Sequence, residues 1–190
     1  MQELQDRIKN DGQVIGTGIL KVDSFLNHQI DPEFIMRMGR EFAQRFSKDN
    51  VTKVLTVEAS GIAVAMAAAL ALGVPVVFAK KKAAVTQQGD MYTAEVYSFT
   101  RRESVHITVE KQYISDRDVV LIIDDFLAHG EALNGLASIV KQAGACLAGA
   151  GIVIEKRFQG GGQQLRKEGI RIESLAAIEY MEPGNIRFAE

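Results

Sequence analysis

Apolar positions fall into two alternating patterns along the chain. Phe34, Met38, Phe42 and Phe46 recur at every fourth residue, which places them on one face of a helix. Asp31-Pro32 supplies its start, an Asp N-cap followed by Pro at the first helical position. Lys53–Val57 then reads as a short strand, and Ile62–Leu72 as a helix of small residues stopped by Gly73. Val74–Ala79 is a second apolar strand. The rhythm resumes with a strand at Val119–Ile123, a helix at Gly130–Ala143 ended by Gly144, and a strand at Gly149–Ile154. A short helix at Gln163–Lys167 and a last strand near Ile170–Leu175 follow. Continuous Val/Ile runs alternating with helices predict an α/β fold, a mainly parallel twisted sheet flanked by helices on both faces.

Two stretches break that rhythm. Residues 13–30, behind a helix over 2–10, read as short extended pieces and turns. Residues 80–118 open on Lys80, Lys81 and Lys82, pass Gly89-Asp90 and alternate through Val96, Ser98, His106 and Thr108, the pattern of a hairpin. One domain is expected over 1–190. Within it, 13–30 contributes to a small hood and 80–118 is a flexible lid excursion over the strand ends, where open α/β sheets bind ligands.

Composition narrows the setting. Twenty-two Lys and Arg against 24 Asp and Glu leave a net charge of −2, which argues against nucleic acid as the main partner. A single cysteine, Cys146, excludes a disulfide framework and a Cys-based zinc site, and fits a reducing cytoplasm. Its small apolar neighbours predict a core position. The N-terminus, MQELQDRIKN, alternates charge and lacks the apolar stretch of a signal peptide. The 21 residues from Ala59 to Ala79 carry no charge, long enough for a membrane span. Gly73-Val74-Pro75 interrupts them, so helix, turn and buried strand are expected and no membrane partner.

Candidate chemistry concentrates in Val119–Ala132, VVLIIDDFLAHGEA. An apolar strand is expected to end in Asp124 and Asp125, and a loop then opens a helix at Gly130. Adjacent carboxylates at a strand end can accept hydrogen bonds from vicinal hydroxyls. The following helix N-terminus offers backbone N–H groups to an anion. Diol acceptors beside a phosphate cradle suit a ribose 5-phosphate. No Walker A sequence and no G-x-G-x-x-G occurs.

The same segment resembles the phosphoribosyl-diphosphate (PRPP) signature of the type I phosphoribosyltransferases. Leu20–Pro32 (LKVDSFLNHQIDP), Val57–Ile62 (VEASGI), Tyr97–Thr100 (YSFT) and Val153–Phe158 (VIEKRF) are similar to the xanthine-using branch of that family. The resemblance implies the type I phosphoribosyltransferase fold and a purine-salvage glycosyltransferase. Such an enzyme moves phosphoribosyl from PRPP to N9 of xanthine, giving xanthosine 5′-monophosphate (XMP) and pyrophosphate. Asp124 and Asp125 would then hold the ribose hydroxyls, and Ala128, His129, Gly130, Glu131 and Ala132 the 5′-phosphate. Ala59, Ser60 and Gly61, with Lys80 or Lys81, would take the pyrophosphate, and Leu20, Asn27 and Lys156 the xanthine. The resemblance further implies a homodimer and Mg²⁺ held mainly by PRPP itself, with no direct protein ligand expected. Where the family commonly has Thr-Gly-Gly-Thr, this chain has His129-Gly130-Glu131-Ala132, so both hydroxyl donors are missing.

Plainer readings stand beside these. Paired acids at a strand end also occur in receiver domains, although there the pair normally follows the first strand. His129 also reads as an exposed loop residue, and Lys80–Lys82 as a solvated charge run. Lys156, beside Glu155, also reads as half of a salt bridge. A PRPP-binding regulator without catalysis is the alternative in another class, but residues 1–12 are too short for a DNA-reading module. A sister hypoxanthine or guanine phosphoribosyltransferase is the alternative within the class.

Overall fold

The computed structural model describes residues 1–82, 90–98 and 103–189. Helix α1 (Gln2–Asp11) leads into a two-stranded hairpin, β1 (Gln13–Ile15) and β2 (Ile19–Lys21), and a π-helical turn over Asp23–Asn27. Then come α2 (Pro32–Arg45), β3 (Lys53–Val57), α3 (Gly61–Leu72) and β4 (Val76–Lys82). The chain continues through β5 (Met91–Ser98), β6 (Glu103–Glu110), β7 (Val119–Leu127), α4 (Glu131–Gln142) and β8 (Cys146–Lys156). It closes with α5 (Gly161–Lys167), β9 (Ile172–Glu182) and β10 (Asn185–Phe188).

Eight strands form one sheet in the order β10-β9-β8-β7-β3-β4-β6-β5. The five central strands run parallel, and β10, β6 and β5 join antiparallel at the edges. Helices α1, α2 and α3 cover one face, where Phe34, Met38, Phe42 and Phe46 are buried together with Leu121, Ile123 and Val153. Each such side chain contributes roughly 2 kcal/mol of transfer free energy. Helix α4 and Leu165 of α5 cover the other face, over Leu55, Val120, Ile122 and Ile152.

Local signals explain most element ends. Asp31 caps α2 by accepting from the Phe34 amide at 3.1 Å. Gly73 ends α3 in the left-handed conformation, φ 73°, which a residue without a Cβ adopts at no steric cost. The hood is anchored rather than loose. Phe25 meets Phe34 edge-on at 5.8 Å, Arg7 stacks over both rings, and Arg7 also bonds Asp31 at 2.7 Å.

Several expectations change. Residues 91–98 and 103–110 do form a hairpin, but β6 bonds directly to β4, so the hairpin extends the sheet edge. The remaining lid residues, 83–89 and 99–102, lie outside the described residues. The strand expected to end at Ile123 continues to Leu127, and the last strand runs on to Glu182 and turns into β10. Cys146 is exposed at the start of β8 instead of buried, because the register with β7 begins at that residue.

Candidate active site

Asp124 and Asp125 sit inside β7, whose pairing with β8 carries past them through Phe126↔Ile154. They are 5% and 9% exposed, and the Asp125 amide donates to Asp124 Oδ1 at 3.0 Å. Burial, followed by the nearby Asp125 charge, pushes the Asp124 carboxyl well above its ordinary value, while the Lys81 ammonium pulls it back in part. A buried, adjacent carboxyl pair is a set of oxygen acceptors suited to ligand hydroxyls or a cation.

The first strand-to-helix loop lies beside this pair. Strand β3 ends at Val57, and the chain passes Glu58, a cis peptide and Ala59 before α3 opens at Gly61. The Glu58 amide donates to the Ala79 carbonyl at 3.1 Å, and Glu58 Oε1 accepts from the Lys81 amide at 2.6 Å. A methyl group on Gly61 would overlap Thr56 Oγ1 and lie 2.9 Å from Asp124 Oδ1. Only glycine therefore lets the α3 N-terminus settle against the carboxylates. Ser60, at the N-cap, makes no capping bond, and the buried Thr56 hydroxyl has no partner among the described residues. The first amides of α3 lack intrahelical acceptors, as in any helix, and lie beside Asp124.

The second loop, 128–132, joins β7 to α4. Gly130 holds φ 94° at the helix start, His129 is exposed, and Glu131 opens α4 half-buried. Support comes from α5. The Gly161 amide donates to the Ala128 carbonyl at 3.1 Å, a methyl on Gly161 would overlap the His129–Gly130 backbone, and Leu165 lies against Gly130.

At the end of β8, Lys156 Nζ donates to the Gly18 carbonyl of the hood at 2.8 Å and stands 5.2 Å over the Phe126 ring. Burial lowers its pKa. It does not pair with Glu155, which bonds Arg166 and Ser174 instead. Leu20 is buried in β2, and Asn27 is exposed at the end of the π-helical turn. The two lysines part company. Lys81 acts on Asp124, whereas Lys80 lines a cavity of about 280 Å³ with Val76, Phe78, Met91 and Tyr113. Among the described residues, no three His, Cys, Asp or Glu side chains converge as a metal cage. No helix among them is long and apolar enough to cross a membrane.

Residues 27–169 match the family model of the phosphoribosyl transferase domain. The chain belongs to the phosphoribosyltransferase family. Two curated members align over its whole length. The xanthine phosphoribosyltransferase of Heliobacterium modesticaldum is 70% identical over 189 residues, covering 100% of both chains. That of Brevibacillus brevis is 57% identical over 190 residues, covering 100% of this chain and 97% of its own. The fold matches the crystal structure of adenine phosphoribosyltransferase from Rhodothermus marinus, with a TM-score of 0.75 at 20% identity, covering 93% and 99% of the two chains.

In this phosphoribosyltransferase, Ala59–Gly61, Lys81 and the Asp124–Asp125 pair come together at one end of the parallel strands. The hood meets Lys156 through the Gly18 carbonyl rather than through Leu20 or Asn27. Sequence reasoning passed over Thr56, Phe126 and Gly161. Phe126 stood inside the motif, and Gly160-Gly161-Gly162 was a visible glycine run, but nothing local connected it with Ala128.

Proposed function

We propose that the chain transfers the 5-phosphoribosyl group of PRPP to N9 of xanthine, giving XMP and pyrophosphate. The bond from ribose C1 to the pyrophosphate oxygen breaks, the C1–N9 bond forms, and N9 loses its proton. The observation that carries the reading is the buried Asp124–Asp125 pair set beside two strand-to-helix loops, in a chain of that family. Full-length identity of 70% with a curated xanthine phosphoribosyltransferase supports the choice of base.

In this reading Asp124 and Asp125 accept from the ribose hydroxyls. The amides of 128–132 cradle the 5′-phosphate, and those of 59–61, with Lys81, the pyrophosphate. Lys156 donates to a xanthine carbonyl, with Leu20 as an apolar wall and Asn27 as a second polar contact. A cationic donor favours oxopurines and meets the adenine amino group badly. Xanthine is itself acidic, so no dedicated base is needed. The two carboxylates are hard oxygen donors that fit Mg²⁺ carried in by PRPP. When bound, that ion stabilises charge on the departing pyrophosphate.

The working unit in this proposal is a homodimer. Exposed Met66 and Leu70 of α3 and exposed Phe78 of β4 support it. Exposed, unpaired Cys146 fits a reducing, cytoplasmic setting.

Initial rates with PRPP, Mg²⁺ and each of xanthine, guanine, hypoxanthine and adenine test the reading. Turnover should be fastest with xanthine. Asp125→Asn should lower kcat/KM about 100-fold, and Lys156→Met about tenfold with the oxopurines. PRPP binding without turnover of any base would instead make the chain a regulator.

A further inference from the structure

Glu155 is 1% exposed at the end of β8, and a carboxylate so buried needs charge and hydrogen-bond partners. Arg166 of α5 supplies both oxygens with bonds of 2.6 and 2.8 Å, and Ser174 Oγ donates at 2.6 Å. Helix α5 lies directly on the carboxylate. A methyl on Gly162 would overlap Glu155 Oε1 and stand 2.9 Å from Arg166 Nη1.

That helix has only seven residues, too few to hold together by its own backbone bonds. Its position is set by what it touches. On one face, Gly162 and Arg166 meet the Glu155 carboxylate. On the neighbouring face, Gly161 bonds the Ala128 carbonyl and Leu165 packs against Gly130. A continuous path therefore runs from a central strand, through an ion pair and a short helix, to the loop between β7 and α4.

Two considerations give the path a purpose. Taking the Glu155 carboxylate out of water offsets much of what its bond to the half-buried Arg166 contributes, so stability alone is a weak reason for the pair. The loop it reaches offers an anion backbone N–H groups, and these are aimed by the backbone alone, with no side-chain rotamer to correct an error. We infer that Glu155 and Arg166 are positioning residues, which hold loop 128–132 in register for the 5′-phosphate of PRPP through α5. This rests on the phosphate-binding reading of the loop given above.

The double variant Glu155→Gln/Arg166→Gln tests it, because both charges go together and no carboxylate is left buried without a partner. Arg166→Lys keeps the charge but loses the two-pronged bond. In the double variant the KM for PRPP and the inhibition constant of ribose 5-phosphate should rise together, about tenfold, with kcat, the KM for xanthine and pyrophosphate inhibition within about twofold of wild type. Arg166→Lys should fall between the two. A similar rise in the KM for xanthine, the KM for PRPP and both inhibition constants together with a fall in kcat, or an unchanged ribose 5-phosphate constant in both variants, overturns the proposal. Gly161→Ala separates the two layers of the argument. If it leaves ribose 5-phosphate inhibition unchanged, the phosphate-binding reading itself fails. If it weakens that inhibition and neither Glu155/Arg166 variant does, only the positioning role fails.

Discussion

The two strand-to-helix loops at the sheet's end solve one problem in different ways. Both follow neighbouring parallel strands, β3 and β7, and both open a helix of 12 residues. Loop 58–61 is held from within the sheet, by Gly61 seated on Thr56 and Asp124 and by Glu58 tied to the next strand. Loop 128–132 is held from outside, by a short helix anchored through Arg166 on the buried Glu155 carboxylate. The carboxylates beside them differ correspondingly. Asp124 has its charge disfavoured by burial and by Asp125. Burial also pushes Glu155 up, but Arg166 and Ser174 more than offset it and hold the group below its usual value. One loop adjoins a charge the fold tolerates, and the other hangs from a charge the fold uses.

The sharpest way to break the comparison is Gly61→Ala. Alanine is the better helix former by about 1 kcal/mol. The added methyl, however, meets Thr56 Oγ1, a stiff side chain in a packed strand, and overpacking of that kind costs about 3 kcal/mol. A net loss near 2 kcal/mol by urea denaturation is expected, with kcat/KM down about 100-fold. An unchanged or raised midpoint would mean that the turn is less tightly seated than the contacts imply.

Asp124→Asn has the opposite sign for stability. An acid whose folded pKa lies above its unfolded one binds more protons when folded, so stability falls as pH rises through that interval. Asparagine removes the slope and keeps an oxygen for the Asp125 amide. The free protein should gain about 1 kcal/mol at pH 7, with the gain vanishing near pH 4, while turnover drops. Equal pH dependence in variant and wild type would refute it.

The smallest effect belongs to Glu155. Its depressed folded pKa makes its contribution complete above the ordinary glutamate value and lost as pH falls through the folded value. Thermal melts of wild type and Glu155→Gln should therefore differ at neutral pH and converge in acid. A gap that persists in acid would mean that packing, not charge, holds α5.

The sequence disclosed the order of strands and helices because that order is written in local periodicity. The Phe34–Phe46 stripe, the Asp31 cap and the Gly73 stop all lie within a few residues of what they control. Errors came where distant partners decide. The apolar run predicted a strand over Val119–Ile123 with the aspartates at its end, yet pairing with β8 carries β7 through both. The 80–118 excursion was expected over the strand ends, because nothing in its own pattern reveals that β6 pairs with β4. Pro183-Gly184-Asn185 was a turn signal left unread before β10. At the candidate site the carboxylate pair and Gly130 stood out from the strand–loop–helix pattern, whereas Gly61 entered through the family resemblance. The supports did not, since Gly161 and Ala128 lie on separate elements and meet only in the fold.

Lys156 is tethered from two sides, by the Gly18 carbonyl and by the Phe126 ring. A free lysine side chain surrenders up to about 2 kcal/mol of rotamer freedom when it is fixed. Here that ordering is completed when the chain folds. The ammonium is already aimed, and the hood cannot swing away without letting go of it. Posture of the hood and placement of the lysine thus form a single equilibrium. In the proposed reading, with Lys156 as donor to xanthine, a substitution in the β1–β2 turn such as at Gly18 should therefore weaken purine binding from a distance.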